Sequence, residues 1–331
     1  MHATEQAFSR LKSYIFPALL TAMLITGCAE DSTDPVAPPQ TTQNPGEQTP
    51  QDVKTAASLT DTIQTNPALS AFIETIDNHY VNLQAKADEL HSAIIKFARS
   101  PSETTLDNAI SAWEHTHDIY LAGRHLDTLF TDLVAPENQQ QTGPGIHTRL
   151  DSQPLLPGYL DAVSGYPFSG LIHSDIPLTL VNMYQEFQLG DTAYITLGFH
   201  ALEVMLKGTD KERDSAEFAP LKSTKDTSEA PPELRRTLYS ILLAEQIRLD
   251  VLQLPAIWRQ QIKNALGHLD QEQTRQLNAV LQKNLRQRLQ SLESTTSTRP
   301  DDTSVHAGET ANAIERELLQ KLLTDLEDPP P

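Results

Sequence analysis

The run Leu69-Ser-Ala-Phe-Ile-Glu-Thr-Ile-Asp-Asn-His-Tyr-Val-Asn-Leu-Gln-Ala-Lys-Ala-Asp-Glu-Leu-His-Ser-Ala-Ile-Ile-Lys-Phe-Ala-Arg99 decides what kind of fold this chain adopts. Phe72, Ile76, Tyr80, Leu83, Ala87, Leu90, Ile94 and Phe97 recur at intervals of three and four, so on a helix they share one face. That stripe lasts about eight turns. A helix with one long apolar stripe must bury it against other helices.

Ser100-Pro101-Ser102-Glu103 reads as a stop and a restart, with Ser100 as N-cap, Pro101 at the first helical position and Glu103 closing a capping box. The second helix carries Leu106, Ile110, Trp113, His117 and Tyr120 on one face. A turn this short sets the two helices antiparallel. From 131 to 177 the pattern breaks: prolines and glycines punctuate a segment that still holds Leu155, Leu156, Tyr159, Leu160, Tyr166 and Phe168. So long a connection with apolar content is expected to pack over the core. Further helices are expected over 178–187, 191–208, from Pro231 to near Trp258, from a cap at Asp270 through Leu277, Leu281, Leu285, Leu289 and Leu292, and over about 311–326, with 294–311 mobile. No alternating strand pattern is present. The reading is an all-α protein, a helical bundle or bundles of long antiparallel helices with a long irregular packed connection in the middle.

The 191–208 segment is the chemically unusual one. Asp191 can cap its first turn and Gly208 can close its last in the left-handed conformation. Thr196, His200, Glu203 and Lys207 then form a single polar stripe on a helix otherwise made of Ile195, Leu197, Phe199, Leu202, Val204, Met205 and Leu206. His200 and Glu203, three apart, can converge on one metal ion. Equally, Glu203 and Lys207 can form an ion pair, with His200 a satisfied core histidine. Glu114, His117 and Asp118 lie within one turn of the second helix and can supply further ligands. They can also be an inward histidine beside solvated acids. No His-Glu-x-x-His string occurs, and Val204 stands where an inverted zinc-protease motif needs its second histidine.

The N-terminus gives an address. Arg10 and Lys12 precede an apolar run from Tyr14 to Ile25, and Ile25-Thr26-Gly27-Cys28 resembles the bacterial lipobox. The apolar run is short for a spanning helix. Cys28 is the single cysteine, so no intramolecular disulfide can form and its simplest role is lipid attachment. Ala29 after it favours outer-membrane sorting by the same resemblance. Residues 28–64 are rich in Pro, Thr, Gln and Asp and are expected to be a disordered tether. The expected organisation is a leader over 1–27, the tether over 28–64, a helical domain over 65–293 and a mobile segment with a terminal helix over 294–331.

The net charge is −19, and −20 once the leader takes Glu5, Arg10 and Lys12 away. Such a surface repels nucleic acid and anionic lipid headgroups, so nucleic acid is excluded as a partner and the membrane is reached through the lipid alone.

Several strings together resemble the imelysin family of bacterial envelope proteins. Gly198, His200 and Glu203 fit its Gly-x-His-x-x-Glu signature, and Gly208 follows as is common there. Arg149-Leu-Asp-Ser-Gln-Pro154, Gly158-Tyr-Leu-Asp161, Ala112-Trp113 and Arg235-Arg236 with Tyr239 fit other family strings, in order, over about residues 69–258. The resemblance implies an all-α fold of bundle units and a metal site, iron or zinc, often discussed in connection with iron. Gln153 departs from a usual tryptophan, Arg124 from a common glutamate and His117 from a common arginine. The C-terminal third carries no second repeat.

Three functions follow from these residues. The first is a lipid-anchored, periplasm-facing protein of the outer membrane that binds a metal without catalysis, in iron uptake or homeostasis, beside an envelope protein partner. Its expected ligands are His200 and Glu203, completed by His117 and Glu114. The second is a metallopeptidase in which Glu203 is ligand or base. The third is a helical binding or scaffolding module with no metal.

Overall fold

Asn66 opens the folded body. Its side chain accepts from the Leu69 backbone N–H at 3.1 Å, Pro67 takes the first helical position, and α1 (Pro67–Arg99) runs unbroken for 33 residues. The computed structural model describes residues 66–129, 145–209, 211–221, 228–267, 269, 271–296 and 306–329. The leader, Cys28, the tether, Asp270, the 131–144 part of the connection and 297–305 of the expected mobile stretch lie outside them.

The remaining helices are α2 (Glu103–Gly123), α3 (Ile146–Leu150), α4 (Pro157–Leu160), α5 (Leu180–Glu186), α6 (Gly198–Lys207), α7 (Pro232–Val251), α8 (Leu254–Gly267), α9 (Gln271–Thr296) and α10 (His306–Glu327). The fold is all-α: among the described residues there is no strand, only one isolated bridge between Val163 and Tyr166. No described helix is long and apolar enough to cross a membrane.

α1 is the spine, packing against α2, α7 and α10, and α2 in turn packs against α10 and α6. The stripe read from the sequence is the core: Phe72, Ile76, Tyr80, Leu83, Ala87, Leu90, Ile94 and Phe97 are all buried. Each large apolar side chain withdrawn from water contributes on the order of 1.5–3 kcal/mol.

Several boundaries differ from expectation for local reasons. Ser100 caps the end of α1, and Ser102 is the N-cap of α2, exchanging bonds with Thr105 rather than with Glu103. Glu103 instead accepts from the Ser215 N–H at 2.9 Å. α7 and α8 are separate helices because Pro255, at the second position of α8, has no N–H to continue the ladder. Residues 294–296 continue α9 and 306–311 begin α10, so α10 starts earlier than expected and is part of the bundle against α1, α2 and α9.

The irregular connection is pinned to the core by buried charge. Asp161, fully buried, accepts from Arg236 at 2.7 and 3.0 Å and from Arg213 at 2.9 Å. Burial alone would raise its carboxyl, and the two guanidinium groups overcome that and hold it below the usual range. Buried Arg235 donates to the backbone oxygens of Leu171, Ile172 and Ile176. Leu160, Leu171 and Ile172 are buried there, whereas Tyr166 and Phe168 project into solvent, against the expectation that the segment's apolar side chains pack.

Candidate metal centre

α6 begins at Gly198, seven residues after the expected cap. Asp191 closes only a local turn onto the Ala193 N–H, and the Thr196 hydroxyl, buried, donates to the Met183 carbonyl at 2.6 Å. Tyr239 donates to the Thr196 carbonyl at 2.7 Å, which holds this segment extended. The polar stripe of α6 is therefore His200, Glu203 and Lys207, without Thr196. Gly208 closes the helix with φ +77° and ψ −164°, a conformation open to glycine but extended in ψ and so not the left-handed helical close expected.

Gly198 is what lets α6 reach its partners. Its φ is +86°, and a Cβ there would meet the backbone oxygens of Arg149 and Leu150 at 2.2 and 2.4 Å. The start of α6 thus sits directly on the end of α3. α7 clamps the pair: Gln246 accepts from the Gly198 N–H at 2.8 Å, and Arg149 closes on Asp250 with bonds of 3.1 and 2.9 Å. On the other side, Trp113 of α2 donates its indole N–H to the Phe199 carbonyl at 2.9 Å.

This packing brings three side chains from three elements to one point. Oδ1 of Asp151, the residue that caps α3, lies 3.1 Å from Nε2 of His117 on α2 and 2.9 Å from Nε2 of His200 on α6. The two imidazoles stand edge to face, with ring centroids 5.3 Å apart. Among the described residues, His117, Asp151 and His200 form a group whose donor atoms all lie within 4.8 Å of one another, so it could hold a metal ion. Bonds of about 2.0–2.2 Å to an ion put adjacent ligands about 3 Å apart, so the observed spacing fits. The donors, two imidazole nitrogens and a carboxylate oxygen, suit a transition metal better than calcium or magnesium.

The electrostatics are strong. Burial alone would raise the Asp151 carboxyl, and hydrogen bonds with His117 and His200 outweigh that and hold it well below the usual range. Burial would depress His200, and its bonds to Asp151 and Glu203 reverse the sign, lifting it to about 9. Arg124 donates to the second oxygen of Asp151 at 2.6 Å. A cleft of about 470 Å³ opens beside the triad, lined among others by Arg124, His147, Gln153 and the three triad residues.

Of the four ligands expected from the sequence, the structure brings His117 and His200 together and places the other two elsewhere. Glu203 contacts Nδ1 of His200 at 3.2 Å, the opposite edge of the ring from Asp151. Its Oε1 is 3.8 Å from Lys207, so Glu203 faces both rivals and His200 more closely. Glu114 binds Lys207 at 2.9 Å, and that ammonium lies 4.3 Å over the Trp113 ring. Asp118 is buried on α2 and outside the triad. Asp151 was missed by the spacing argument; the string Arg149-Leu-Asp151 was its one signal, and its distance in sequence from both histidines hid the contact.

The strings that carried the resemblance are the joints described above: Gly198, Arg149, Asp161, Arg235, Arg236, Tyr239 and Trp113. No curated protein matches the chain. The sequence profile of the imelysin family, designated peptidase M75, matches residues 76–318, extending past the expected 69–258 through α9 and into α10. The chain belongs to the imelysin family.

Proposed function

We propose that this protein binds a transition-metal ion, iron foremost, through His117, Asp151 and His200, and serves its uptake or homeostasis at the cell envelope without hydrolysing a substrate. The observation that carries this is the meeting of two histidine nitrogens on one carboxylate oxygen at 2.9 and 3.1 Å. Two histidines and one carboxylate are also the donor set of non-haem iron(II) sites. When bound, the ion supplies Lewis acidity and open coordination positions. Asp151 and the two imidazoles fix its place, and Glu203 orients His200 through Nδ1.

Against hydrolysis stands the position of Glu203. A base for a metal-bound water belongs on the metal side of the site, whereas Glu203 sits on the other edge of the His200 ring. The address is proposed from the lipobox-like Ile25-Thr26-Gly27-Cys28: acylation at Cys28 anchors the chain to the outer membrane, facing the periplasm, where an envelope protein is its partner. Labelled fatty acid should enter the wild type and be absent from Cys28→Ser.

The test of the metal reading is calorimetric titration of the purified chain with Fe²⁺ under anaerobic conditions, beside His200→Ala and Asp151→Asn. Binding by the wild type and none by either variant is the expected result. Equal heats in all three would remove the assignment, and the triad would then be an ion-pair lock between α2, α3 and α6. Turnover of an unstructured polypeptide that stops on chelation would instead establish the peptidase.

A further inference from the structure

Three protein donors leave an ion short of ligands. His117, Asp151 and His200 all line the cleft, so an ion held by them has room for further ligands there. Zinc takes four ligands and octahedral ions six, so the triad leaves between one and three positions to other donors.

Charge is short as well. The only anionic donor of the triad is Asp151, set against two or three positive charges on the ion. Arg124 adds another cation, 2.6 Å from the second oxygen of Asp151, and nearly half of its side chain remains exposed where it lines the cleft. Glu203, 3.2 Å from Nδ1 of His200, returns one negative charge, and the ion with Arg124 still leaves the site with excess positive charge. Water can complete a coordination shell and leaves the excess charge in place. A small anion with two donor atoms does both, and a guanidinium fork matches carboxylate geometry.

Resting on the metal reading above, we propose that the cleft takes its ion together with a small dicarboxylate, which chelates the metal on the face away from the triad and reaches the Arg124 guanidinium. The protein is then a receptor for a metal–carboxylate chelate and binds the bare ion less well. By linkage, each component raises the affinity for the other by the same factor.

The experiment titrates the full chain with Co²⁺ at buffered free concentrations, with and without excess oxalate, following the visible cobalt spectrum. Oxalate should raise the apparent Co²⁺ affinity about tenfold or more and change the spectrum. The same ratio, taken within each variant so that its own Co²⁺ affinity cancels, should fall to about one in Arg124→Gln and be kept only in part in Arg124→Lys, which retains the charge without the fork. Co²⁺ uptake that oxalate leaves unchanged would overturn the proposal and leave the metal reading standing. No Co²⁺ uptake under either condition would overturn both. An undiminished ratio in Arg124→Gln would remove Arg124 from the site, and an equal gain with inorganic phosphate would overturn the carboxylate assignment. Should Arg124→Gln not fold, the wild-type spectrum and the Arg124→Lys ratio still decide.

Discussion

Oδ1 of Asp151 lies 2.9 Å from Nε2 of His200, joining the cap of a five-residue helix to the motif helix of the family. The same oxygen is 3.1 Å from His117, so one carboxylate organises the site. Asp151→Asn keeps the shape and removes the charge. The expected outcome is loss of metal affinity beyond about 100-fold, more than an outer partner's removal costs. It also takes the counter-charge from half-exposed Arg124 and leaves His200 with Glu203 alone, so the metal-free protein should be less stable than wild type in a denaturant titration.

Acidity should move metal affinity and metal-free stability in opposite directions. The folded His200 is raised to about 9 from an ordinary 6.5, so its contribution to folding is fully present below 6.5 and is lost as pH rises through 9. Over that window the metal-free protein should lose up to about 3 kcal/mol. Metal binding displaces the proton on Nε2, so affinity should rise by about tenfold per pH unit across the same range. Thermal melts and buffered titrations at pH 6.5, 7.5 and 8.5 check both signs; parallel trends would contradict the assignment.

Glu203→Gln tests orientation against ligation. Through Nδ1 of His200 it acts as an outer partner, and its removal should weaken metal binding by about 10–100-fold without abolishing it. Complete loss, matching His200→Ala, would make Glu203 a ligand.

Gly198→Ala places a Cβ 2.2 Å from the Arg149 carbonyl oxygen at a φ of +86°. The start of α6 must then lift off α3, separating His200 from Asp151. Both a lowered melting temperature and weakened metal binding are expected. A variant that melts lower yet binds normally would show that the site does not need this contact.

Asp161→Asn serves as the contrast. It strips the charge partner from Arg213 and Arg236 in a buried site. Destabilisation of about 3–5 kcal/mol is expected, with metal affinity of the folded fraction within a few-fold of wild type. An equal loss of affinity would mean that the connection, and not the three-helix junction alone, shapes the site.

The sequence by itself determined the helical class, the buried stripe of α1 and the glycine close of α6, because these depend on period and local geometry, and it offered His117 and His200 as candidates on separate helices. Pattern alone also sufficed for the family, since its strings Gly198–Glu203, Arg149–Asp151 and Arg235–Arg236 are contiguous. What only the tertiary structure decided is which carboxylate meets the histidines. Glu203 shares a helix face with His200, and helical spacing made it the natural ligand, yet it lies on the Nδ1 edge. Asp151 is held against the Nε2 edge by the end of α3, the glycine contact and the clamp from α7, none of which has a sequence period. Spacing reports what one helix can present; a ligand set drawn from three elements is fixed by how those elements pack.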